Sequence, residues 1–254
     1  MPILFPHQDD VTLQASPLTE VICQVKFAPI LRIAESLPSA FQELLRGRFP
    51  KFAKRNSFRM EIKAGGSASA APLPNEFVCE TVDGSSSAAL GVDFVALSTQ
   101  NYSHWKSFAN DLQMVLKAFE QIYGPTLMTR LGLRYVNELR LANTGANSPD
   151  QLVDFLNSDL SHFYYQPIWN PPDATVSLVQ LRQDNESLAL RIGIETRGEA
   201  RVVLDYDYYT ELAEPTQTST DEILTTVHHY HQMIYDAFRW SIRADKMMVF
   251  RPLQ

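Results

Sequence analysis

The chain has 254 residues, of which 45% are hydrophobic and 20% are charged, and its formal net charge is −7. This composition can bury a sizeable core, which excludes a disordered chain, and the acidic balance argues against a general nucleic-acid coat. No apolar run approaches the ~20 residues of a membrane-spanning helix, the first residues lack the basic start of a signal peptide, and only two cysteines occur. The sequence therefore predicts a cytoplasmic protein with no membrane segment and no disulfide scaffold.

Strand patterns are frequent in the first 141 residues. Runs in which apolar and polar residues alternate predict half-buried strands. The predicted strands of this part cover 20–27, 57–63, 76–82, 88–98 and 128–141. The run 64–75, AGGSASAAPLPN, is rich in glycine, serine and proline, and it predicts a flexible loop.

Two helices are predicted in the same part of the chain. Residues 29–48 have helical spacing, and Pro38 is well suited to a first helical turn. Residues 103–123 place apolar side chains at steps of three and four, and Gly124 and Pro125 end this pattern. Such an apolar stripe predicts a helix that faces a core or a sheet.

The second part of the chain begins with another helix start, at Ser148, Pro149 and Gln151. Three strands joined by tight turns are predicted over 175–182, 187–197 and 201–209. Ser219 and Glu222 have the spacing of a capping box that opens a long helix to about residue 243. A final short strand is predicted over 247–250.

These elements predict an α+β fold, in which one or more antiparallel sheets are packed by long amphipathic helices. Residues 28–141 and 149–250 share the order helix, strands, long helix, strand, which indicates two similar α+β halves. The corresponding boundaries are 1–145 and 146–254, and both halves are expected to share one core.

Cationic residues are concentrated in one segment, residues 46–63, which we call the basic segment. Its cations, opposed only by Glu61, are Arg46, Arg48, Lys51, Lys54, Arg55, Arg59 and Lys63. Three phenylalanines lie among them, and cations beside aromatic faces can bind a nucleic acid or an acidic protein. The alternative is a solvated loop whose phenylalanines turn inward.

Two carboxylates and two histidines are candidate metal ligands. Asp205 and Asp207 are two apart on a predicted strand, so both project from one face and could hold a divalent ion or divide acid and base roles. The alternative is a solvent-facing pair bound to arginines across the hairpin. His228 and His231 are three apart on a helix, but a third ligand is missing at the right spacing, and His231 also fits a hydrogen-bonded core histidine.

Motifs for nucleophilic catalysis and for cofactor binding are missing from the sequence. It contains no Gly-x-Ser-x-Gly elbow, no phosphate-binding loop and no dinucleotide fingerprint. The sequence therefore predicts no cofactor and no catalytic residue.

Four segments resemble a known family. They are PLTEVICQVKF (17–27), ALSTQNYSHWKSF (96–108), TRLGLRYVNEL (129–139) and LDYDYY (204–209). In this order and spacing they resemble a sporadically distributed family of prokaryotic proteins of similar length. The resemblance implies a bacterial or archaeal origin and, from the patchy distribution, a defence-related gene neighbourhood. It implies no catalytic residue.

Within these segments Tyr102, Arg134 and Asn137 lie at the predicted junctions between strand and helix. Side chains of this kind either fix the joint by binding backbone groups or line a ligand pocket. In the second case, Asp205 and Asp207 would join them if the two halves face each other.

Two functions fit these features. The first is a non-enzymatic binding or adaptor protein that recognises a protein or nucleic acid through residues 46–63, in a bacterial defence or toxin–antitoxin-like locus. It predicts that reversal of Arg48, Lys51, Lys54 and Arg55 to glutamate abolishes binding and leaves the melting temperature nearly unchanged. The alternative is a metal-dependent phosphodiester hydrolase that uses Asp205 and Asp207. A homo-oligomer with an exposed aromatic stretch at 163–169 is a third possibility.

Overall fold

The computed structural model describes residues 5–55, 58–62, 68–72, 76–124 and 127–253, with the side chains of 58–62 and 68–72 left out. The strands are β1 (Leu18–Phe27), β2 (Lys51–Arg55), β3 (Phe58–Ile62), β4 (Ala68–Pro72), β5 (Glu76–Glu80), β6 (Ser86–Gly91), β7 (Phe94–Thr99), β8 (Leu127–Arg140), β9 (Ala174–Gln183), β10 (Glu186–Glu195) and β11 (Arg201–Gln217). The helices are α1 (Leu31–Glu35), α2 (Ser39–Leu45), α3 (Trp105–Tyr123), α4 (Leu141–Thr144), α5 (Pro149–Val153), α6 (Ser158–Ser161) and α7 (Thr220–Ser241), followed by a 3₁₀ helix over Ala244–Phe250.

In the described part of the chain, nine strands form one antiparallel sheet, in the order β2-β5-β6-β7-β1-β8-β11-β10-β9. The β1–β8 pair lies at the centre, where Cys23 is opposite Leu133 and Val21 is opposite Tyr135. Alternate residues of both strands are buried, as the alternating sequence predicts. A separate hairpin joins β3 to β4. The mixed α/β content agrees with the predicted α+β class.

The two longest helices lie on one face of the sheet. α7 contacts β8 and β11, whereas α3 contacts β7 and α7. The apolar stripe of α3 is buried, and Gly124 ends the helix at φ 75°, a left-handed conformation that glycine adopts without strain. At the start of α7 the capping box of Ser219 and Glu222 is formed as predicted. No helix among the described residues combines the length and the apolar character needed to cross a membrane.

Residues 7–16 have almost no regular structure and run across α7; we call them the N-terminal strap. The backbone N–H of Gln8 donates to Asp236 Oδ1 at 2.9 Å, and that of Val11 donates to the Tyr235 hydroxyl at 3.3 Å. At the other end of the strap, Gln14 donates to the carbonyl of Arg251 at 3.1 Å. The strap is therefore held by side chains of α7 and by the end of the chain.

Three predicted elements are wrong in detail. The single helix expected over 29–48 is two short helices, because Pro38 caps α2 and Ser36 is already extended. The strand expected over 247–250 is part of the 3₁₀ helix, so the order proposed for residues 149–250 does not end in a strand. The predicted loop at 64–75 contains β4 at 68–72, and its other residues, 64–67 and 73–75, lie outside the described part of the chain.

Candidate functional site

A cavity of about 80 Å³ lies between the N-terminal strap, the start of α3, β8 and α7. We call it the Tyr102 cavity. Its lining residues are Asp10, Val11, Thr12, Leu13, Ser16, Leu18, Tyr102, Ser103, His104, Trp105, Tyr135, Asn137, His231, Ile234, Tyr235 and Phe238. Because these residues come from four separate parts of the chain, the cavity exists only once the whole fold has formed.

A hydrogen-bonded series of three side chains forms one wall. The Tyr135 hydroxyl lies 2.8 Å from Nδ1 of His231, and Nε2 of His231 lies 3.1 Å from Oδ2 of Asp10. With the proton assigned to Nε2, His231 donates to the carboxylate and accepts from the phenol, so both ring nitrogens are satisfied. The imidazole itself is buried, which makes these two partners necessary.

The protonation states of this wall follow from burial and hydrogen bonding. Burial raises the pKa of Tyr135 and of Tyr102 well above the usual range, so both phenols are protonated in neutral solution. The hydrogen bond from His231 lowers the pKa of Asp10, so this carboxyl group is ionised. The wall therefore presents neutral phenols and one anionic carboxylate.

Aromatic rings provide most of the remaining surface. The Trp105 ring stacks on His231 with centroids 4.4 Å apart, and the rings of Tyr102 and Tyr135 lie 5.8 Å apart. Tyr235 and Phe238 line the side formed by α7. Among the described residues that line the cavity, none is a lysine or an arginine, and Asp10 is the only carboxylate. The cavity is thus aromatic, with a negative charge at its margin.

Five side chains would share a pocket under the second of the two alternatives for the strand–helix junctions, and the structure brings two of them together in the cavity. Tyr102 and Asn137 line it, whereas Arg134 alternates with Tyr135 and Asn137 on β8 and projects to the opposite face of the sheet. Arg134, Asp205 and Asp207 therefore belong to a different surface from Tyr102 and Asn137.

Asp205 and Asp207 are bound by arginines on that opposite face. Arg134 donates to both oxygens of Asp205 at 2.7 and 2.9 Å, and Arg191 lies 3.2 Å from the same carboxylate. Arg130 binds Asp207 at 3.0 Å. Guanidinium groups bind both carboxylates, as the alternative states, but Asp205 is buried rather than solvent-facing, and Arg130 and Arg134 come from β8 rather than from across the hairpin.

His228 and His231 lie in different environments. His231 is buried and hydrogen-bonded, as the core-histidine alternative predicts, whereas His228 is exposed and touches the ring of Trp105. Within the described residues no group of three or more His, Cys, Asp or Glu side chains is placed to hold a metal ion.

Several cations of the basic segment form ion pairs with acidic residues elsewhere in the fold. Arg48 binds Asp111 with two nitrogens at 3.0–3.2 Å, Arg46 binds Glu43 and Arg55 binds Glu80. Lys51 and Lys54 are exposed on β2 and form no ion pair with described residues. The side chains of Arg59 and Lys63 lie outside the described part of the chain.

The phenylalanines of the basic segment also differ in exposure. Phe49 is fully buried in the core, whereas Phe52 is exposed and stacks on Phe77. Residues 51–55 form an edge strand rather than the solvated loop that is the alternative for this segment.

Asp10, Trp105 and Tyr235 belong to the site although the sequence alone does not place them there. The sequence predicts Trp105 only as part of the buried stripe of a helix, and the strap has no periodic pattern that would reveal a role for Asp10. Asp10 and His231 are 221 positions apart, and nothing local in the sequence reports such a contact.

No protein-family model matches the chain, and a search of curated proteins finds no match either. Any function must therefore be argued from the residues and the geometry of the cavity itself.

Proposed function

We propose that this chain is a binding protein and that the Tyr102 cavity accepts the protonated amine of a ligand with an apolar stem. The observation that carries the proposal is the single carboxylate, Asp10, at the margin of a cavity walled by aromatic rings. Aromatic faces attract cations through the ring quadrupole, and a carboxylate adds a direct charge partner. An anion would meet Asp10 with no lysine or arginine among the lining residues to compensate.

The size of the cavity limits what can enter. Its 80 Å³ is smaller than the ~150 Å³ of an engineered cavity that holds benzene. A compact ammonium group with a few methylenes fits this space, and a larger body must extend through the opening into solvent. The ligand is accordingly an alkylamine or the basic side chain of a larger molecule.

The chemistry of the wall favours binding over catalysis. A phenol acts as a nucleophile through its phenolate, and the raised pKa values of Tyr102 and Tyr135 keep both protons in place. Burial likewise raises the pKa of Cys23 to about 12 and that of Cys79 to about 11, which keeps both thiols protonated.

The element order supports two similar halves, each made of a strand, short helices, a three-strand meander and a long helix. In the first half these are β1, α1–α2, β5–β7 and α3, with the additional strands β2–β4 between α2 and β5, and in the second β8, α4–α6, β9–β11 and α7. The sheet order β5-β6-β7-β1 is repeated in reverse as β8-β11-β10-β9, with the halves meeting at the central pair. The first half would then begin at β1 and the second at β8, one strand before the starts at residues 28 and 149. The cavity would lie where α3 and α7 meet the β1–β8 pair.

The test is a titration followed by the indole N–H resonance of Trp105, assigned with Trp105→Phe. The probes are n-butylammonium, 1-butanol and butyrate, which have similar size and different charge. We expect n-butylammonium to shift this resonance saturably and butyrate to leave it unchanged. Asp10→Asn keeps an oxygen for His231 but removes the charge, and it should weaken binding about tenfold, the equivalent of about 1.4 kcal/mol.

Asp9→Asn is the matched control, because Asp9 is also exposed and is absent from the cavity lining. It should bind n-butylammonium as the wild type does. Equal shifts with butyrate, no shift with any probe, or equal affinities of Asp10→Asn and the wild type would each overturn the proposal.

A further inference from the structure

The N-terminal strap is held in two different ways along its length. Its second part, residues 12–15, is bound to residues 250–253 through backbone N–H and C=O groups, with hydrogen bonds of 2.9 and 3.1 Å. Its first part, residues 7–11, forms no backbone–backbone hydrogen bond with any described residue. We call residues 7–11 the lid. The lid is therefore held by side chains, whereas the rest of the strap is held by the backbone.

Two side chains of α7 bind both backbone groups of one lid residue. Asp236 is buried, and its Oδ1 accepts from the backbone N–H of Gln8 at 2.9 Å. Gln232 donates to the carbonyl of Gln8 at 3.0 Å and to the same oxygen of Asp236 at 2.9 Å. We call Gln232 and Asp236 the latch. Further along the lid, the N–H of Val11 donates to the Tyr235 hydroxyl at 3.3 Å.

The contacts under the lid are mainly polar. The lid sequence, HQDDV, contains one apolar residue, and none of its five residues is fully buried. Water can replace the hydrogen bonds between lid and latch when the two separate, so each bond contributes little net stability. Segments with few apolar contacts open locally while the core stays folded. Phe5 packs on Trp240 with ring centroids 5.4 Å apart, so the lid is anchored at both ends and opening displaces only the residues between.

The lid is also part of the wall of the Tyr102 cavity. Asp10 and Val11 line the cavity, and because Asp10 is exposed and Val11 is half-buried, this part of the wall also faces solvent. Gln232 and Asp236 are absent from the described residues that line the cavity. The latch can therefore act on a bound ligand only through the position of the lid.

We propose that the lid opens to exchange the ligand of the Tyr102 cavity, and that Gln232 and Asp236 are positioning residues that hold it closed. This inference rests on the proposed function, because the ligand is the alkylammonium group of that proposal. In the closed lid, Asp10 lies against His231 at the margin of the cavity. In the open lid, the cavity loses this charge and part of its wall. The latch thus determines how often the lid opens, whereas Asp10 determines how strongly the ligand is bound.

A weaker latch has a kinetic signature. With the closed lid as the main state of both the free and the bound protein, a weaker latch raises the open fraction of both by the same factor. The ligand then enters and leaves faster to the same extent, and its Kd stays nearly unchanged. A residue that only supports the cavity wall would lower the affinity instead.

The first test measures both rate constants for n-butylammonium by relaxation dispersion of the Trp105 indole N–H. In Gln232→Ala both should increase about fivefold, which corresponds to the loss of one hydrogen bond to the lid, while Kd changes less than about twofold. Thr226→Ala is the matched control. Thr226 is also half-buried on α7, and the only described hydrogen bond of its hydroxyl is to the carbonyl of Glu222 in the same helix, at 2.9 Å. This variant should exchange the ligand as the wild type does.

The second test needs no ligand and uses hydrogen exchange. In the wild type the amides of Gln8 and Val11 should have lower protection factors than the amide of Gln14, which is bound to a backbone carbonyl. Asp236→Ala should lower the protection of Val11 about fivefold and leave Gln14 unchanged, and Asp236→Asn, which keeps an oxygen for Gln8, should restore most of it. Gln232→Ala provides the same measurement if Asp236→Ala does not fold. Equal protection of Val11 and Gln14 in the wild type would show that the strap moves as one unit and would overturn the proposal.

The two tests distinguish failure of the lid from failure of the proposed function. If n-butylammonium does not shift the Trp105 resonance in any variant, the proposed function fails, and the protection factors still decide whether residues 7–11 open as a unit. If the ligand binds but Gln232→Ala leaves both rate constants unchanged, or lowers the affinity without faster association, the latch does not control ligand exchange and the proposal is overturned.

Discussion

His231 lies flat on Trp105, with ring centroids 4.4 Å apart and ring planes within 4° of each other. This stack connects α7 to the first residue of α3. The same imidazole binds Tyr135 on β8 and Asp10 in the N-terminal strap. One buried side chain therefore joins all four parts of the chain that surround the Tyr102 cavity, and its replacement should affect the stability of the fold as well as the cavity.

His231→Phe keeps a flat ring against Trp105 but removes both hydrogen bonds. The buried Tyr135 hydroxyl then loses the imidazole nitrogen as its acceptor, and such a loss costs about 1 kcal/mol of unfolding free energy. Urea denaturation followed by circular dichroism measures this change.

Two further variants distinguish the cost of the lost hydrogen bonds from the cost of changing the ring. His228→Phe alters the exposed histidine that also touches Trp105, and we expect an effect within about 0.5 kcal/mol. Addition of Tyr135→Phe to His231→Phe removes both partners of the lost bond, so it should cost less than the sum of the single changes. Equal costs for His228→Phe and His231→Phe would contradict the role given to the buried imidazole.

Two carboxyl groups should titrate on opposite sides of the usual aspartate value of 3.8. The hydrogen bond from His231 lowers the pKa of Asp10, and burial raises the pKa of Asp207 although Arg130 acts against it. Because the folded state binds the Asp10 proton more weakly than the unfolded state, this group stabilises the fold above pH 3.8, and the contribution is lost as the pH falls below that value. Carboxyl ¹³C shifts between pH 7 and 3 report both midpoints.

The His231→Phe variant provides the control for this titration. Without the imidazole hydrogen bond the Asp10 midpoint should rise toward 3.8, whereas the Asp207 midpoint should stay in place. An Asp10 midpoint at or above 3.8 in the wild type would show that its contact with His231 does not form in solution.

The sequence predicts what depends on neighbours along the chain. The alternation in β1 and β8, the apolar stripe of α3 and the capping box of Ser219 and Glu222 each involve residues within a few positions, and the structure contains all of them. Pro38 misleads the prediction in a similarly local way: its helical surroundings suggest one helix, whereas the chain breaks just before it and the second helix begins there.

The site could not be predicted in the same way, because its contacts join distant parts of the chain. Tyr102 and Asn137 are candidates from their place at strand–helix junctions, and the same reasoning groups Arg134 with them although the two-residue alternation of β8 turns it to the other face. The partner of His231 is in a strap without periodicity, so no pattern in the sequence identifies it. The charge of the basic segment is visible in the sequence, but the distant acids that bind it, such as Asp111, are not.

The ion pair between Arg48 and Asp111 changes the expectation for charge reversal in the basic segment. Arg48→Glu removes a two-nitrogen contact with α3 and places two carboxylates together, which should cost about 1 kcal/mol of unfolding free energy. Lys54→Glu is the matched control, since Lys54 is exposed without an ion pair to described residues, and it should stay within about 0.5 kcal/mol. The melting temperatures of both variants, measured at low and high salt, show whether Arg48→Glu is more destabilising than Lys54→Glu. Equal melting temperatures would restore the original expectation that reversal leaves stability unchanged.

The guanidinium of Arg130 lies over Gly132. A Cβ at this position would be 2.5 Å from Nη1 of Arg130, whose guanidinium lies 4.5 Å from the centre of the Tyr209 ring and binds Asp207 at 3.0 Å. Gly132→Ala should therefore displace the guanidinium and cost about 1 kcal/mol, most of it from these two contacts.

Gly193→Ala is the control for this prediction, because Val203 lies 3.7 Å from its added Cβ, an ordinary contact distance. It should be neutral or stabilising, since alanine loses less conformational entropy than glycine in a strand. In an Arg130→Ala background the cost of Gly132→Ala should disappear, because no guanidinium remains to be moved. If Gly132→Ala destabilises equally with and without Arg130, the close approach of that side chain is not the reason for the glycine.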